Sequence, residues 1–190
     1  MPPKVDALLE GRILKAAQRI WHRRGEHGLT LRAIAKEAGT STPTVYKRFR
    51  NKAAILHALA SIFQQRLNES CFTARTIEEV CEKYLSYAEE NPEEYQLLWR
   101  TWSGIFNPER PRPGFNWFVG QLAHRFGGQP EEYTRAFFAF FLLGHGAASL
   151  LTIPRDEPAR REVRENFLGI CDELIRNIQI LRTPARANFR

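Results

Sequence analysis

The chain has 190 residues, 43% of them hydrophobic and 26% charged, and this composition excludes a disordered or fibrous protein. Its net charge of +7 favours an acidic partner, such as nucleic acid or an anionic membrane. The charge is uneven, because residues 1–52 hold twelve Lys or Arg against four Asp or Glu, while the rest has a net charge of −1. We therefore expect a basic binding segment joined to a neutral body.

Short helices and tight turns are predicted for the basic segment. Apolar residues from Leu9 to Trp21 recur at helical spacing, and Gly25 and Gly28 end this first helix. Thr30 is suited to cap the second helix, which Gly39 ends in the left-handed conformation.

A third helix follows within three residues. Ser41 is suited to cap it, and Pro43 falls in its first turn, where no intrahelical N–H is needed. Val45 and Phe49 face inward in this arrangement, and Asn51 caps a fourth helix. The spacing predicts a helix-turn-helix, although an αα-hairpin with a solvated face has the same outline. Four cations and no acid in residues 45–52 favour the first interpretation.

The stretch "ILKAAQRIWHRRGEHGLTLRAIAKEAGTSTPTVYKRFRNKAAIL", residues 13–56, resembles the DNA-binding domain of the TetR family of bacterial transcription regulators. The resemblance lies in the glycine-containing turn, Thr30, Ala35 with Gly39, residues 46–49, and Asn51 with Lys52. One departure is Thr40, where the family usually has an apolar residue. The resemblance covers about a quarter of the chain and implies a dimeric, all-helical regulator.

Candidate DNA contacts cluster in and around the two short helices. Short polar side chains and Pro43 can reach base edges from a helix in the major groove, and cations can reach phosphates. Lys52 lies beside the free N–H groups behind Asn51, which predicts an anion site at a helix N-terminus. A phosphate contact by Tyr46 is implied by the family resemblance. The predicted contacts are Thr30, Arg32, Ser41, Thr42, Pro43, Thr44, Tyr46, Lys47, Arg48 and Lys52, and each has a solvated surface residue as its alternative.

The remaining residues predict a helical body. Helices are expected after the Thr76–Glu79 capping box, from Pro92 to about Phe106, over 115–126, from Pro130 to about Ile153, and from Pro158 to about Leu181. A Pro-rich loop is expected over residues 107–114. The expected organisation is a helix-turn-helix DNA-binding domain over 1–52, a bundle for ligand binding and dimerisation over 53–182, and a frayed tail over 183–190.

Aromatic residues are concentrated in the body, and some of them could line a ligand pocket. The candidate ligand contacts are Trp99, Trp102, Phe106, Trp117, Phe141 and His145. Ordinary core packing is the alternative for all of them. An apolar pocket with one polar handle would suit a small hydrophobic or aromatic effector.

The stretch "AFFAFFLLGHGAASLLTI", residues 136–153, is apolar nearly all round and must be covered on every side. A membrane span is one explanation, but its 18 residues include His145 and two glycines, which favours a buried core helix. Small residues in "GHGAAS" would also allow a second subunit to approach. The family resemblance implies a homodimer through the last two long helices.

No catalytic motif, metal-ligand spacing or cofactor fingerprint is found, so we expect neither enzymatic activity nor a cofactor. The three cysteines, Cys71, Cys81 and Cys171, suggest reduced thiols in a cytoplasmic protein, with a redox pair of Cys71 and Cys81 as the alternative. The predicted function is a repressor that a small ligand releases from a palindromic DNA operator. The alternative is a structural DNA-binding protein of the same fold without a ligand. The effector, the operator, the regulated genes and the sign of regulation are left open.

Overall fold

The computed structural model describes residues 4–101, 112–154 and 156–183. Within these residues it contains ten α-helices, one short 3-10 helix and no strand, which confirms the predicted all-α class. The chain forms two compact units, which we call the N-terminal unit (Met1–Gln64 with Leu97–Thr101) and the body unit (Gln65–Gln96 with Trp102–Arg190). The functional boundary predicted at residue 52 stays a prediction.

The N-terminal unit is built from α1 (Lys4–Gly28), α2 (Leu31–Glu37), α3 (Thr42–Arg48) and most of α4 (Lys52–Phe72). Gly25 has φ 58° and ψ −161°, a non-helical conformation that places a kink near the end of α1, where the sequence predicted a stop. Glu26 follows directly after this kink.

Local side chains cap α2, α3 and α4 as predicted. The hydroxyl of Thr30 accepts from the backbone N–H of Ala33 at 3.1 Å, and that of Ser41 accepts from Thr44 at 3.3 Å. The Asn51 side chain accepts from the Ala54 N–H at 2.9 Å. These caps fix where the short helices begin.

A continuous apolar core holds the N-terminal helices together. The ring of Trp21 on α1 packs against Phe63 on α4, with centroids 5.9 Å apart. Val45 and Phe49, at the inner side of α3, are buried as predicted. Other buried members are Ile13, Ala16, Ala17, Ile20, Leu29, Ile34, Ala35, Ile55 and Leu59. Full burial of a Val or Leu side chain contributes about 1.5–3 kcal/mol, so this core, rather than helix propensity, stabilises the seven-residue helices.

The body unit contains the end of α4 and the remaining helices. These are α5 (Ile77–Glu90), α6 (Pro92–Thr101, which ends within the N-terminal unit), α7 (Pro113–Phe126), the 3-10 turn Pro130–Tyr133, α8 (Thr134–Leu151), α9 (Glu157–Arg176) and α10 (Ile178–Leu181). Helix α8 packs against α5, α7 and α9 and is the centre of this unit. The predicted end of α6 near Phe106 lies outside the described residues.

Several predicted helix ends need correction. Pro130 starts a 3-10 turn rather than α8 itself, and α7 begins at Pro113, within the predicted loop. The last helix breaks at Asn177, whose side chain donates to the Glu173 carbonyl at 2.9 Å and so competes with the backbone ladder. Thr76 caps α5 as predicted, since its hydroxyl accepts from the Glu79 N–H at 3.1 Å, but the Glu79 carboxylate does not complete the capping box and accepts from the Arg75 N–H at 2.8 Å.

Helix α8 and the 3-10 turn before it are long and apolar enough, by length and composition alone, to cross a membrane. A third of this segment is buried within the structure. The ring atoms of Tyr84 and Phe167 lie 3.4 Å and 3.6 Å from where a Cβ on Gly144 would sit, so this glycine admits helices α5 and α9. The small residues Gly144, Ala147 and Ala148 therefore serve the chain's own packing, whereas Gly146 faces outward.

Candidate nucleic-acid interface

The turn between α2 and α3 has the geometry that the sequence predicted. Gly39 has φ 63°, a region that residues with a Cβ rarely adopt. The N–H of Thr40 donates to the carbonyl of Ala35 at 2.9 Å, which closes the end of α2. Ala35 is buried at this close approach, so two short helices meet through a tight turn.

The outer face of α3 presents polar and cationic side chains to solvent. Pro43, Tyr46, Lys47 and Arg48 are exposed, and Tyr46 shows 54% of its surface. Thr42 and Thr44 are half-buried beside them, and Arg32 is exposed at the start of α2. Within the part of the chain that the structure describes, the side chains of Arg32, Tyr46 and Lys47 make no hydrogen bond or ion pair, so they are available to an external ligand.

Two of the predicted DNA contacts, Thr30 and Ser41, also stabilise the fold. The hydroxyls of Thr30 and Ser41 act as helix caps, and Ser41 Oγ also lies 2.8 Å from Thr44 Oγ1. A hydroxyl has one proton and two lone pairs, so these groups retain capacity for a further bond. The sequence predicted the caps and the contacts separately, and it did not predict the Ser41–Thr44 bond.

Lys52 is not a simple exposed cation. Its Nζ donates to the backbone carbonyl of Glu26 at 2.9 Å and lies 3.9 Å from the Glu26 carboxylate. The same carboxylate accepts a hydrogen bond from Arg100, in the last turn of α6. Neither Glu26 nor Arg100 was predicted to bear on the site.

A second ion-pair cluster fixes α2 against α1. Arg19 Nε lies 2.8 Å from one oxygen of the Glu37 carboxylate, and Arg23 Nη2 lies 2.7 Å from the other. Hydrogen bonds from Arg19 and then from Arg23 lower the pKa of Glu37. The i, i+4 spacing of Arg19 and Arg23 on α1 could have indicated a shared acidic partner, but the sequence does not identify that partner as Glu37.

The surplus positive charge is consequently not spread evenly over the N-terminal unit. Arg19, Arg23 and Lys52 lie against acidic partners, whereas the cation of Lys47, at the exit of α3, faces solvent. Positive charge therefore lies beside the hydroxyls of α3. This combination suits the phosphate backbone and the groove edges of duplex DNA.

The predicted ligand contacts do not all fall within one described unit. Trp102 and Phe106 lie outside the described residues, and Trp99 belongs to the N-terminal unit, whereas Trp117, Phe141 and His145 belong to the body unit. Trp117 packs against Phe72 at 5.2 Å. The pocket as a whole stays a prediction.

Helix α8 presents a row of stacked rings at i, i+4 spacing. Phe137 and Phe141 are stacked with centroids 5.7 Å apart, and Phe141 and His145 are stacked at 6.4 Å. Phe115 of α7 meets Phe137 edge-on at 4.8 Å. The row combines an apolar wall with one polar end, at His145.

Hydrogen bonds link that polar end to the interior of the body unit. The hydroxyl of the buried Tyr95 lies 2.9 Å from His145 Nδ1 and 3.0 Å from the hydroxyl of Tyr84, while the Ser149 hydroxyl lies 3.5 Å from Nδ1. Burial lowers the pKa of His145 and raises the pKa of Tyr84 well above its ordinary value. The neutral forms of His145 and Tyr84 are thus favoured in this hydrogen-bond network.

The three cysteines are buried free thiols. Burial raises the pKa of Cys71 to about 12, and a hydrogen bond with Cys171, followed by burial, raises the pKa of Cys81. A thiolate is the reactive form, so these environments do not favour reaction at Cys71 or Cys81.

Comparison with known families identifies the N-terminal segment. Residues 13–59 match the family model described as "Bacterial regulatory proteins, tetR family". The match contains α2, the turn, α3 and the beginning of α4, which are the elements that present the exposed face described above. No curated protein sequence matches the chain.

Solved structures show that the likeness in fold extends over nearly the whole chain. TetR from Acinetobacter baumannii superposes with a TM-score of 0.66 at 19% identity, covering 90% of this chain and 97% of that protein. A TetR-type transcriptional regulator from Streptomyces coelicolor gives 0.65 at 20% identity, covering 90% and 98%. A variant of the Acinetobacter protein, solved in complex with minocycline, gives 0.64 at 19% identity, covering 91% and 97%. At these identities the likeness concerns the fold.

Proposed function

We propose that this chain, which belongs to the TetR family of bacterial regulatory proteins, is a homodimeric cytoplasmic repressor that a small hydrophobic or aromatic molecule releases from a palindromic DNA operator. The observation that carries the proposal is the outer face of α3, where exposed Tyr46 and Lys47 lie beside Thr42 and Thr44 on a helix held by its Ser41 cap. Helices of this kind read DNA from the major groove.

In this proposal the residues divide into positioning and reading groups. Lys47, Arg48 and Lys52 approach phosphates, which sets affinity and its dependence on salt. Thr42, Pro43 and Thr44 reach base edges, which sets sequence preference. Thr30 and Ser41 contribute mainly through their caps, because those bonds orient the helices that carry the other groups.

Dimerisation is supported by an exposed apolar face on the body unit. Leu142 and Leu150 on α8, and Ile170 on α9, expose between 41% and 59% of their surfaces, although large aliphatic side chains are usually buried. An open groove of about 470 Å³ runs along the outer side of α9 and α10, lined in part by Gly169, Ile170 and Ile180. A second copy of the chain would cover these residues, as the pairing of the last long helices requires.

The stacked row on α8 supports an effector site in the body unit. Phe137 and Phe141 offer flat apolar surfaces, and His145 offers a polar group that Tyr95 and Ser149 orient. Such a wall suits a planar ligand with at least one polar atom. The minocycline complex of a protein with a similar fold gives a precedent for ligand binding.

Selection from a randomised duplex library, followed by sequencing, tests the proposal. We expect an enriched palindrome with half-sites about one helical turn, 10–10.5 base pairs, apart. A thermal-shift screen for ligands, repeated with the selected duplex, then tests release. Ligand and operator should weaken each other by the same factor, typically about 5–150-fold. Absence of any enriched sequence would contradict the proposed DNA binding. Ligands that bind equally well with and without the duplex would contradict the proposed release from the operator.

A further inference from the structure

We propose that Glu26 and Arg100 are positioning residues for DNA binding: Arg100 occupies the Glu26 carboxylate and thereby leaves the charge of Lys52 available to a DNA phosphate. The inference rests on the proposed function, in which Lys52 approaches the DNA backbone. It concerns two residues outside the helix-turn-helix, one of which is 48 positions beyond Lys52 in the sequence.

Unequal contacts to the two oxygens of Glu26 are the first observation. Arg100 Nη2 makes a hydrogen bond to Oε2, whereas Lys52 Nζ is 3.9 Å from Oε1, beyond hydrogen-bonding range. The only direct hydrogen bond between Lys52 and Glu26 within the described residues goes to the backbone carbonyl, at 2.9 Å. The carboxylate is therefore paired mainly with Arg100.

Backbone geometry explains why Glu26 reaches both cations. Gly25 has φ 58°, so the chain turns sharply before Glu26. The Glu26 carbonyl consequently meets the first residue of α4, while its side chain meets the last turn of α6. A carbonyl holds the lysine ammonium without neutralising it, and two further N–H groups of that ammonium stay available for a phosphate.

The second observation is that the three side chains are accessible to solvent. Lys52 exposes 42% of its side chain, Arg100 58% and Glu26 33%, so an incoming phosphate can reach the ammonium group. If Arg100 is removed, the Glu26 carboxylate loses its nearer partner and can close the remaining gap to Lys52. The lysine would then have to break an ion pair before it could contact DNA.

A double-mutant cycle on the full chain tests this prediction, with the selected operator duplex as the probe. Arg100→Ala should weaken binding about two- to fivefold, the range expected for a surface ion pair, and should make the slope of log K against log salt shallower by up to about one. In the Glu26→Gln background the same substitution should have little effect, because no carboxylate is left to capture Lys52. Arg100→Lys, which keeps a cation at this position, should retain most of the wild-type affinity for the operator.

Two controls separate this network from a simple loss of positive charge. Arg12→Ala removes an exposed cation of the N-terminal unit that does not contact Glu26, and its effect on affinity should be the same in the wild-type and the Glu26→Gln backgrounds. In Lys52→Ala protein the coupling between Glu26 and Arg100 should disappear.

Equal effects of Arg100→Ala in the wild-type and Glu26→Gln backgrounds would overturn the inference, because long-range electrostatics alone predicts additivity. Coupling that persists in Lys52→Ala protein would overturn it too. A wild-type protein that selects no duplex, by contrast, contradicts the proposed function itself. Circular dichroism and thermal unfolding of each variant would show that the comparisons are made between folded proteins.

Discussion

Ser41 Oγ lies 2.8 Å from Thr44 Oγ1 across the first turn of α3, and it also accepts the Thr44 N–H. One hydroxyl thus caps the helix and orients the side chain that is proposed to read bases. The pair therefore affects both the stability of α3 and the proposed recognition of bases, and substitutions at the two positions should separate these effects.

Thr44→Ala and Ser41→Ala should differ in what they lose. Thr44→Ala keeps the backbone N–H that Ser41 caps, so we expect weaker operator binding with little change in thermal unfolding. Ser41→Ala removes the cap and should lower stability by about 0.5–2 kcal/mol, in addition to weakening DNA binding. Fluorescence anisotropy with the operator and thermal denaturation measure the two effects. Equal affinity of Thr44→Ala and wild type would contradict the assignment of α3 as the reading helix.

Tyr46→Phe isolates one hydroxyl on an exposed aromatic ring of the proposed reading helix. A hydrogen bond to a charged group contributes about 1.5–3 kcal/mol, so losing a phosphate contact should cost roughly ten- to a hundredfold in operator affinity. Tyr46 is 54% exposed, and the fold should tolerate the change. Tyr46→Ala should bind no better than Tyr46→Phe. Retention of full affinity by the phenylalanine variant would show that the hydroxyl does not touch DNA.

Lys47→Ala should reduce the magnitude of the slope of log K against log salt by about one, because one phosphate contact is removed. Its effect should be similar for operator and for unrelated duplex DNA, since phosphates carry no sequence information. Lys15→Ala, at an exposed position on α1, is the matched control and should leave the slope nearly unchanged. A slope that responds equally to both substitutions would argue against a specific contact by Lys47.

Local sequence signals were sufficient to predict the short helices that carry the candidate nucleic-acid interface. Thr30, Ser41 and Gly39 act within three or four residues of the backbone groups that they satisfy, so their types and spacing determine the two helices and the turn. The outward placement of Tyr46 then follows from helical periodicity once Val45 is assigned to the core.

Contacts that depend on tertiary packing were not accessible in this way. Arg100 and Glu26 are 74 positions apart, and Tyr95 and His145 are 50 apart, so no local pattern specifies either pair. The break at Asn177 was missed for a different reason: the apolar spacing continues through it, and only the side-chain bond to Glu173 reveals the interruption.

Ile170→Asp should convert the protein from dimer to monomer and weaken operator binding, because a charge would be placed on the exposed apolar face of α9. Leu142→Asp should act similarly from α8. Ala148, on the same helix as Leu142, has no exposed surface, so a charge there would disrupt the core instead. Ser61→Asp, at an exposed position on α4, is the control. Sedimentation that shows a wild-type monomer at micromolar concentration would contradict the dimer.

His145 should make the body unit less stable in mild acid. Burial lowers its pKa below the ordinary value of 6.5, so just below that value the unfolded chain binds more protons than the folded chain. Stability is then fully present above pH 6.5 and is lost as the pH falls towards the lowered pKa.

Protonation would also change the direction of the hydrogen bonds around this residue. In the neutral ring that carries its proton on Nε2, Nδ1 can accept from the hydroxyl of Tyr95 or of Ser149, whereas in the charged ring it must donate, so Tyr95 would have to turn its own proton towards Tyr84. His145→Gln should remove the part of the pH dependence that belongs to the imidazole, while its side-chain oxygen can still accept from Tyr95. His57→Gln, which replaces an exposed histidine on α4, controls for the loss of an imidazole as such. Thermal unfolding measured across this pH range provides the test: if His145→Gln loses stability in mild acid as steeply as wild type, the imidazole is not the group that is responsible.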